Sequence, residues 1–300
     1  STTDMDLEIN EAVAAKVDTA GATTAPAGTL FDIVKKLPDG STVTLELSAD
    51  GNQMTVKAGR SNFRLACLSP GDFPEIGLGE LPTEFSIPSN ELRALIDRTR
   101  FAMSTEETRY YLNGIYVHAT ESNGVAVLRA VATDGHRLAR FEMPLPAGAE
   151  NMPGVIIPRK AVNELRKLVD EAGDAIKISL SESKVRFAFD HIVLTSKLID
   201  GTFPDYQRVI PACIDKIVEV NPKAFTQAID RVSTISDGKS RAVKIALNGK
   251  VMTLSANSPD AGSATEDLEV NGNDNMEIAF NAKYLLDITS QIEGDGCRRT

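Results

Sequence analysis

Apolar residues recur at two spacings along the chain, and these spacings predict alternating helices and strands. Segments 90–98 and 222–231 place apolar side chains three and four positions apart, which is typical of a helix with one buried face. Alternation of apolar and polar residues predicts strands over 114–118, 125–131, 242–247 and 251–256. Asn-Gly pairs at 123–124 and 248–249 separate these strands, and such pairs favour tight hairpins. Each helix is therefore expected to be followed by an antiparallel hairpin.

The chain also contains a unit that repeats after about 130 residues. Segment 63–75 consists of a predicted strand, a turn and Phe-Pro-Glu, and segment 192–205 repeats this order and ends in Phe-Pro-Asp. Four pairs of landmarks are separated by 130 to 132 residues, namely Thr3 and Thr133, Pro26 and Pro158, Lys36 and Lys167, and Phe73 and Phe203. A third version begins at Phe280. The repeat predicts three similar domains, over residues 1–81, 82–213 and 214–300.

Each unit alternates a short helix with several antiparallel strands, so the predicted fold class is α+β, with helices covering one face of the sheets. The first unit lacks the helix and hairpin that open the second, and the third stops soon after its last helix. We therefore expect the chain to be truncated at both ends. The closing segment 294–300 does not have the pattern of a strand.

The composition is that of a globular protein, with 42% hydrophobic and 25% charged residues. No apolar run reaches the roughly 18–20 residues of a membrane span, and the N-terminus lacks the features of a signal peptide, which predicts a cytoplasmic location. Cys67, Cys213 and Cys297 are odd in number and far apart, which favours reduced thiols. Because no Cys or His lies at the spacing of metal ligands, we expect no metal and no cofactor.

The predicted helices are basic although the whole chain is acidic, with a formal net charge of −10. Six more basic than acidic residues lie in the helical segments 27–37, 91–100, 158–168, 222–231 and 281–287. If these helices face one side, that side suits a phosphate backbone without reading bases. Solvated helix faces also carry Lys and Arg for solubility alone, and both interpretations are open at this point.

An enzyme is the main alternative function class. Asp134 and His136 would lie on one face of a strand, as a general base and its orienting carboxylate could. The sequence has no Gly-x-Ser-x-Gly elbow, P-loop or dinucleotide fingerprint, and no nucleophile motif accompanies this pair. We therefore expect no catalysis. A repeat scaffold that binds only protein is a third possibility, and it would lack a DNA-binding surface.

Three segments resemble the bacterial DNA polymerase III beta subunit, the replicative sliding clamp family. They are Arg-Tyr-Tyr-Leu-Asn-Gly at 109–114, Ala-Thr-Asp-Gly-His-Arg-Leu-Ala at 132–139, and Asp-Gly-Thr-Phe-Pro-Asp-Tyr-Gln-Arg-Val-Ile-Pro at 200–211. The resemblance covers all but the last few residues. It implies a DNA-clamp fold of tandem similar domains, with two protomers joined head to tail in a closed ring, helices inside and antiparallel sheets outside.

The function implied by this resemblance is that of a processivity factor with no catalytic activity. Such a ring encircles duplex DNA and slides without sequence specificity. It tethers the replicative polymerase, the clamp loader, other polymerases and repair proteins through short linear peptides. The implied location is the nucleoid. Loading on DNA would need a separate ATP-driven loader, because no nucleotide-binding motif is present in the sequence.

The resemblance also implies a hydrophobic pocket for partner peptides. Its residues would be Leu112, Thr133, Gly135, His136, Arg137, Leu138, Pro204, Arg208, Val209, Asn281 and Tyr284. The apolar members would supply burial, and Arg137 and Arg208 are expected to bind peptide carbonyls or an acidic end. The alternative from the residues alone is an ordinary turn at Asp134-Gly135 with Leu138 in the core. We expect the pocket to be incomplete, since the family's last strand would lie beyond Thr300.

Two further surfaces are implied. The candidates for DNA contact are Arg93, Arg98, Arg100, Arg109, Tyr110, Tyr111, Arg166 and Lys167. These contacts are expected to be weak because a ring must slide, and packing within a strand is the alternative for the two tyrosines. For the ring interface, Phe63 and Leu65 match edge positions of the first domain, and Thr234 and Ile235 match the partner positions on the third. Thr234 replaces an aliphatic residue, which leaves the strength of ring closure open.

Overall fold

Helices alternate with antiparallel strands throughout the part of the chain that the structure describes. The computed structural model describes residues 1–77, 79–211, 217–236, 241–272 and 274–292, together with the backbone of 297–299. The α-helices are α1 (Ala27–Lys35), α2 (Ser89–Asp97), α3 (Arg159–Val169), α4 (Pro222–Ser233) and α5 (Ala282–Thr289). Short 3₁₀ helices span Pro70–Asp72, Arg100–Ala102, Glu107–Leu112 and Tyr206–Val209. The two helices predicted from apolar spacing, at 90–98 and 222–231, are confirmed as α2 and α4.

The strands occupy most of the intervening chain. They are β1 (Thr2–Thr3), β2 (Leu7–Glu11), β3 (Val43–Leu47), β4 (Gln53–Ala58), β5 (Ser61–Ala66), β6 (Thr83–Pro88), β7 (Gly114–Ser122), β8 (Val125–Thr133), β9 (Leu138–Pro144), β10 (Val155–Pro158), β11 (Ala175–Leu180), β12 (Lys184–Phe189), β13 (Ile192–Lys197), β14 (Val218–Val220), β15 (Ala242–Asn248), β16 (Val251–Ser258), β17 (Gly262–Glu269), β18 (Asn275–Asn281) and β19 (Cys297–Arg299). The hairpin of β4 and β5 recurs 131 residues later as β12 and β13, which confirms the sequence repeat.

The chain divides into two units that are each discontinuous in sequence. Unit 1 comprises 1–94, 114–130 and 142–200, and unit 2 comprises 95–113, 131–141 and 201–300. A four-stranded sheet has the order β10-β7-β8-β9, and the chain passes between the units within β8 and β9. The α+β class is confirmed. The division into domains at residues 81 and 213 stays a prediction, and Cys213 lies outside the described residues.

Unit 1 contains a six-stranded sheet in the order β1-β2-β13-β12-β11-β6. Every ladder in it is antiparallel, and β2 pairs with β13 so that Ile9 lies opposite Leu194. Alternate side chains of β12 are buried, among them Phe187, as expected for a sheet with one face in the core. One stripe of α3 is also buried, through Ala161, Val162, Leu165 and Val169.

Unit 1 also includes a smaller sheet in the order β3-β4-β5, against which α1 packs through Leu30 and Ile33. The other side of α1 is uncovered among the described residues, with Phe31 63% exposed. All five residues of β3 are exposed as well. Both α1 and β3 therefore carry apolar side chains that unit 1 leaves exposed.

Unit 2 contains a second core between a four-stranded sheet, β17-β16-β15-β18, and the paired helices α4 and α5. Both helices begin at an asparagine whose side chain accepts a hydrogen bond from the first turn. Asn221 caps α4, and Pro222 follows at the first helical position, where a missing N–H costs nothing. Asn281 caps α5 in the same way.

The expectation that 294–300 contains no strand is wrong for residues 297–299. Their backbone pairs antiparallel with β14, so that Val218 lies opposite Arg299 and Val220 opposite Cys297. Main-chain hydrogen bonds to a distant strand supply order that local apolar spacing does not reveal. The other residues of 294–300 lie outside the described part of the chain. In that described part, no helix is long and apolar enough to cross a membrane.

Candidate functional site

The loop between β8 and β9 is held in one conformation by its own side chains. Thr133 Oγ1 accepts from the Gly135 amide at 3.1 Å and donates to the Arg137 carbonyl at 2.6 Å. Asp134 Oδ1 accepts from the amides of His136 and Arg137, at 2.9 and 3.0 Å. Gly135 has a φ of +86°, a value that favours glycine over any residue with a Cβ. Asp134 Oδ1 thus binds the loop backbone, whereas the enzyme alternative required this carboxylate to orient the His136 ring.

Arg137 connects this loop to two other segments of unit 2. Its Nε donates to Asp134 Oδ2 at 3.1 Å, Nη1 to Asp287 Oδ2 at 2.5 Å, and Nη2 to the Phe101 carbonyl at 2.6 Å. The guanidinium also lies 4.5 Å from the centre of the Tyr284 ring, within the range of a cation–π contact. Only 10% of the side chain is exposed. Each of its three nitrogens therefore donates to a group of the chain itself, and contact with a peptide stays a prediction.

The first two turns of α5 supply the other side of this cluster. Tyr284 and Asp287 are three positions apart and so lie on one face of the helix. The His136 ring stacks on Tyr284, with ring centres 6.4 Å apart and an angle of 22° between the planes. Tyr284 is half-buried and His136 is exposed. The side-chain oxygen of Asn281 accepts from the Lys283 amide at 2.9 Å, so its role is to begin the helix that presents Tyr284.

The segment after β13 presents further candidate residues at the surface of unit 2. Phe203 and Tyr206 are buried and contact each other edge to face, with ring centres 6.4 Å apart. These two anchors leave Pro204 and Arg208 exposed and Val209 69% exposed. Arg208 forms an ion pair with Asp205 at 2.7 Å. An aliphatic side chain as exposed as Val209 suits an interaction surface better than a core.

Leucines 112 and 138 differ in their environments. Leu112 is 3% exposed and lies at the end of the 3₁₀ helix Glu107–Leu112. It therefore packs inside the protein. Leu138 begins β9 and is half-buried. The structure thus brings together Thr133, Gly135, His136, Arg137 and Tyr284 by direct contacts, and places the remaining pocket candidates in the same unit.

The basic candidates for DNA contact all have partners within the chain. In unit 1, Arg93 and Arg166 both reach Asp170, at 3.4 and 2.8 Å, and Lys167 binds Glu164 at 2.9 Å. In unit 2, Arg100 binds Asp97 at 3.3 Å, Arg109 binds Glu106 at 2.7 Å, and Arg98 donates to the Gln291 carbonyl at 2.9 Å. The carboxylate of Glu106 raises the pKa of Arg109 further. Carboxylates thus partly neutralise the charge of five of these basic residues, whereas Arg98 donates to an uncharged carbonyl.

Tyr110 and Tyr111 lie in a 3₁₀ helix, so the alternative that they pack within a strand is wrong. Their rings meet edge to face at 5.8 Å, and Tyr110 is 53% exposed. Arg109 precedes them at a non-helical φ of −112° and ψ of 51°, which interrupts the helix.

Comparison with known proteins identifies the chain. Sequence models of the DNA polymerase III beta subunit match it in three consecutive parts: the N-terminal domain over residues 1–77, the central domain over 86–205 and the C-terminal domain over 207–298. The chain belongs to the DNA polymerase III beta subunit family. The beta sliding clamp of Caulobacter vibrioides is 51% identical over 295 residues, which cover 98% of this chain and 79% of that protein. The beta sliding clamp of Escherichia coli K12 is 36% identical over 300 residues, 99% of this chain and 80% of the relative.

Solved structures of beta sliding clamps have the same fold. The clamp from Caulobacter crescentus, solved with polyethylene glycol bound, is 50% identical and superimposes with a TM-score of 0.95, covering 99% of this chain and 79% of that one. The clamp from Bartonella birtlesii bound to griselimycin is also 50% identical, with a TM-score of 0.93 and the same coverage. The clamp fold expected from the motifs is confirmed. The chain is a non-catalytic processivity factor of DNA polymerase III, with DNA and the polymerase as its partners.

Within this clamp, the four candidates for a ring interface have unequal exposure. Leu65 in β5 is 7% exposed and belongs to the core of the smaller sheet, and Phe63 is half-buried. Thr234 follows α4, is exposed, and donates from Oγ1 to the Asp230 carbonyl at 3.2 Å. Ile235 is half-buried. Burial therefore leaves Phe63 with more surface for a partner than Leu65.

One basic residue near the candidate DNA surface was missed by the motif analysis. Arg159 is the first residue of α3, and its buried Nε has no hydrogen-bond partner among the described residues. Burial lowers the pKa of this guanidinium. Its position inside the basic segment 158–168 was the available signal.

Proposed function

We propose that the surface formed by the loop 133–138, α5 and the segment 204–209 is where partner peptides dock on this clamp. The observation that carries the proposal is the Arg137 cluster. It fixes the loop and Tyr284 in place while leaving His136 exposed. Linear peptides bind to fixed surfaces that offer apolar and aromatic anchors, and the same unit also carries the exposed Val209. The Bartonella clamp, which binds griselimycin, supports a ligand site in this family.

A fluorescent peptide of the type Gln-Leu-x-Leu-Phe tests this proposal by anisotropy. We expect His136→Ala to weaken binding severalfold and Leu138→Asp to abolish it. Val125→Asp is the matched control, because Val125 is 60% exposed at the start of β8. Thermal melting of each variant separates loss of the site from loss of the fold. Binding that both site variants leave unchanged, or that the control weakens equally, would contradict the proposal.

We also propose that eight residues contact the phosphate backbone of duplex DNA, namely Arg93, Arg98, Arg100, Arg109, Tyr110, Tyr111, Arg166 and Lys167. Their acidic partners support this assignment, since a sliding protein needs many screened contacts rather than a few strong ones. Combined Arg93→Gln, Arg98→Gln and Arg166→Gln substitutions should weaken binding to a short duplex and flatten its salt dependence. Unchanged binding would favour a scaffold that binds only protein.

Two protomers are proposed to close head to tail, through Phe63 and Leu65 on one and Thr234 and Ile235 on the other. Phe63→Asp should shift the sedimentation coefficient toward that of a monomer, whereas Thr234→Ile should strengthen association. Loaded clamps would then be found on the nucleoid in the cytoplasm. A fluorescent fusion that forms no foci during replication would contradict this location.

A further inference from the structure

Asp170 lies at the C-terminal end of α3, a helix position that disfavours an acidic side chain. It ends α3, with φ −69° and ψ −20°, and the partial negative charge of a helix C-terminus repels a carboxylate. The i,i+4 ion pair with Arg166 offsets part of this repulsion within α3. What distinguishes Asp170 is its set of partners, which come from two different helices.

One carboxylate here serves two guanidinium groups. Asp170 Oδ2 accepts from Arg166 Nη1 at 2.8 Å, and Oδ1 lies 3.4 Å from Arg93 Nη1 on α2. Arg166 is 15% exposed, but Arg93 is 56% exposed and Asp170 49%. The hydrogen bond from Arg166 and the charge of Arg93 lower the pKa of Asp170, so this carboxylate is charged at neutral pH. Both arginines are among the residues proposed to contact DNA.

We infer that Asp170 competes with the DNA phosphates for Arg93 and Arg166. It thereby weakens the binding of both arginines to the duplex and so favours sliding. This inference rests on the proposed DNA surface. A phosphate that approaches either arginine must displace the carboxylate or accept repulsion from it, and both effects reduce its net binding. Glu164 and Lys167 repeat the arrangement for a single pair, at 2.9 Å. Asp170 differs because one acid moderates two basic groups at once.

The experiment measures the affinity of the full chain for a short fluorescent duplex over a salt titration. Asp170→Asn keeps the shape of the side chain and removes its charge. We expect the affinity for DNA to rise about threefold at low salt. The slope of log affinity against log salt concentration should become steeper by up to about one, because each neutralised phosphate contributes about that much. Asp170→Glu keeps the charge and should bind like the unsubstituted chain. Glu182→Gln, in the exposed turn between β11 and β12, gives the same change in net charge away from both helices.

The outcomes separate this inference from the function on which it rests. Tighter binding by Asp170→Asn alone supports it. If Glu182→Gln tightens binding equally, net charge is the cause and the inference is wrong. If Asp170→Asn has no effect while Arg93→Gln with Arg166→Gln weakens binding, the proposed DNA surface is supported and the role inferred for Asp170 is wrong. If none of these variants changes the affinity for DNA, the proposal of this DNA surface is wrong, and so is the inference that rests on it.

Discussion

Asp287 accepts a hydrogen bond from Arg137 at 2.5 Å, although the two residues are 150 positions apart in sequence. The contact joins the loop after β8 to the middle of α5. Arg137 also lies against Tyr284 and binds Asp134. The pair therefore holds the loop against α5 at the proposed peptide site. Arg137 is therefore best described as a positioning residue.

Breaking this pair should weaken peptide binding more than it weakens the fold. We expect Asp287→Asn to lower peptide affinity about fivefold and the free energy of unfolding by about 1 kcal/mol, since the carboxylate is partly exposed. Arg137→Gln should lower the free energy of unfolding by about 2 kcal/mol, because Asp287 Oδ2, Asp134 Oδ2 and the Phe101 carbonyl lose the guanidinium donor. Peptide titration and urea denaturation measure the two effects.

The double variant tests whether the two residues act together. If Arg137 and Asp287 are coupled, the combined loss of peptide affinity should be clearly smaller than the sum of the single losses. Asp230→Asn, an exposed acid on α4, serves as the control for loss of charge. Additive losses would show that the two side chains influence the site independently, contrary to the structure.

Several helices and hairpins could be predicted from the sequence because their signals are local. Apolar spacing and Asn-Gly turns lie within a few residues of the elements that they specify, so α2, α4 and the hairpin at β15 and β16 were found correctly. The role of Arg137 could not be found in this way. Its partners Phe101 and Asp287 lie on segments far away in sequence, and the motif around it suggested a ligand contact instead.

The same reason explains two errors of element type. Residues 297–299 form a strand only because β14 supplies hydrogen-bond partners from about 80 positions earlier in the chain. Tyr110 and Tyr111 have side chains that fit a strand, but they lie in a 3₁₀ helix in which the Asn113 amide donates to the Tyr110 carbonyl at 2.9 Å. In both cases the backbone hydrogen bonds decide the structure, and the side-chain pattern does not report them.

Gly135 should be intolerant of substitution. Its φ of +86° strains any residue with a Cβ, and a Cβ there would also overlap the Arg109 guanidinium. We expect Gly135→Ala to destabilise the protein by about 1 kcal/mol and to weaken peptide binding through distortion of the loop. Gly77→Ala is the control, because Gly77 has open space around it and no positive φ. Equal stability and peptide affinity for the two variants would argue against a strained loop.

Gly114 should be intolerant for a different reason. It opens β7 opposite Pro158, and a Cβ at this position would overlap the carbonyl oxygen of Ile157 in β10. The obstacle is backbone and not a flexible side chain. Gly114→Ala should therefore lower the free energy of unfolding by about 2–3 kcal/mol, more than Gly135→Ala does. Chemical denaturation provides the comparison. A cost no larger than that of Gly77→Ala would mean that β7 and β10 can separate without penalty.

His118 should make stability depend on pH between neutrality and mild acid. Burial lowers the pKa of its ring below the ordinary value of 6.5, and the ring stacks on Tyr116 with centres 4.7 Å apart. The unfolded chain therefore binds a proton more readily than the folded chain. Stability from this group is fully present above pH 6.5 and declines as the pH falls from there toward the lowered pKa of the folded state. We expect His118→Gln to flatten this part of the stability profile, measured by urea denaturation at several pH values. His191→Gln, at a half-exposed position beside Glu11, should leave the same decline in place. A profile that both substitutions alter equally would assign the dependence to groups other than the half-buried His118 ring.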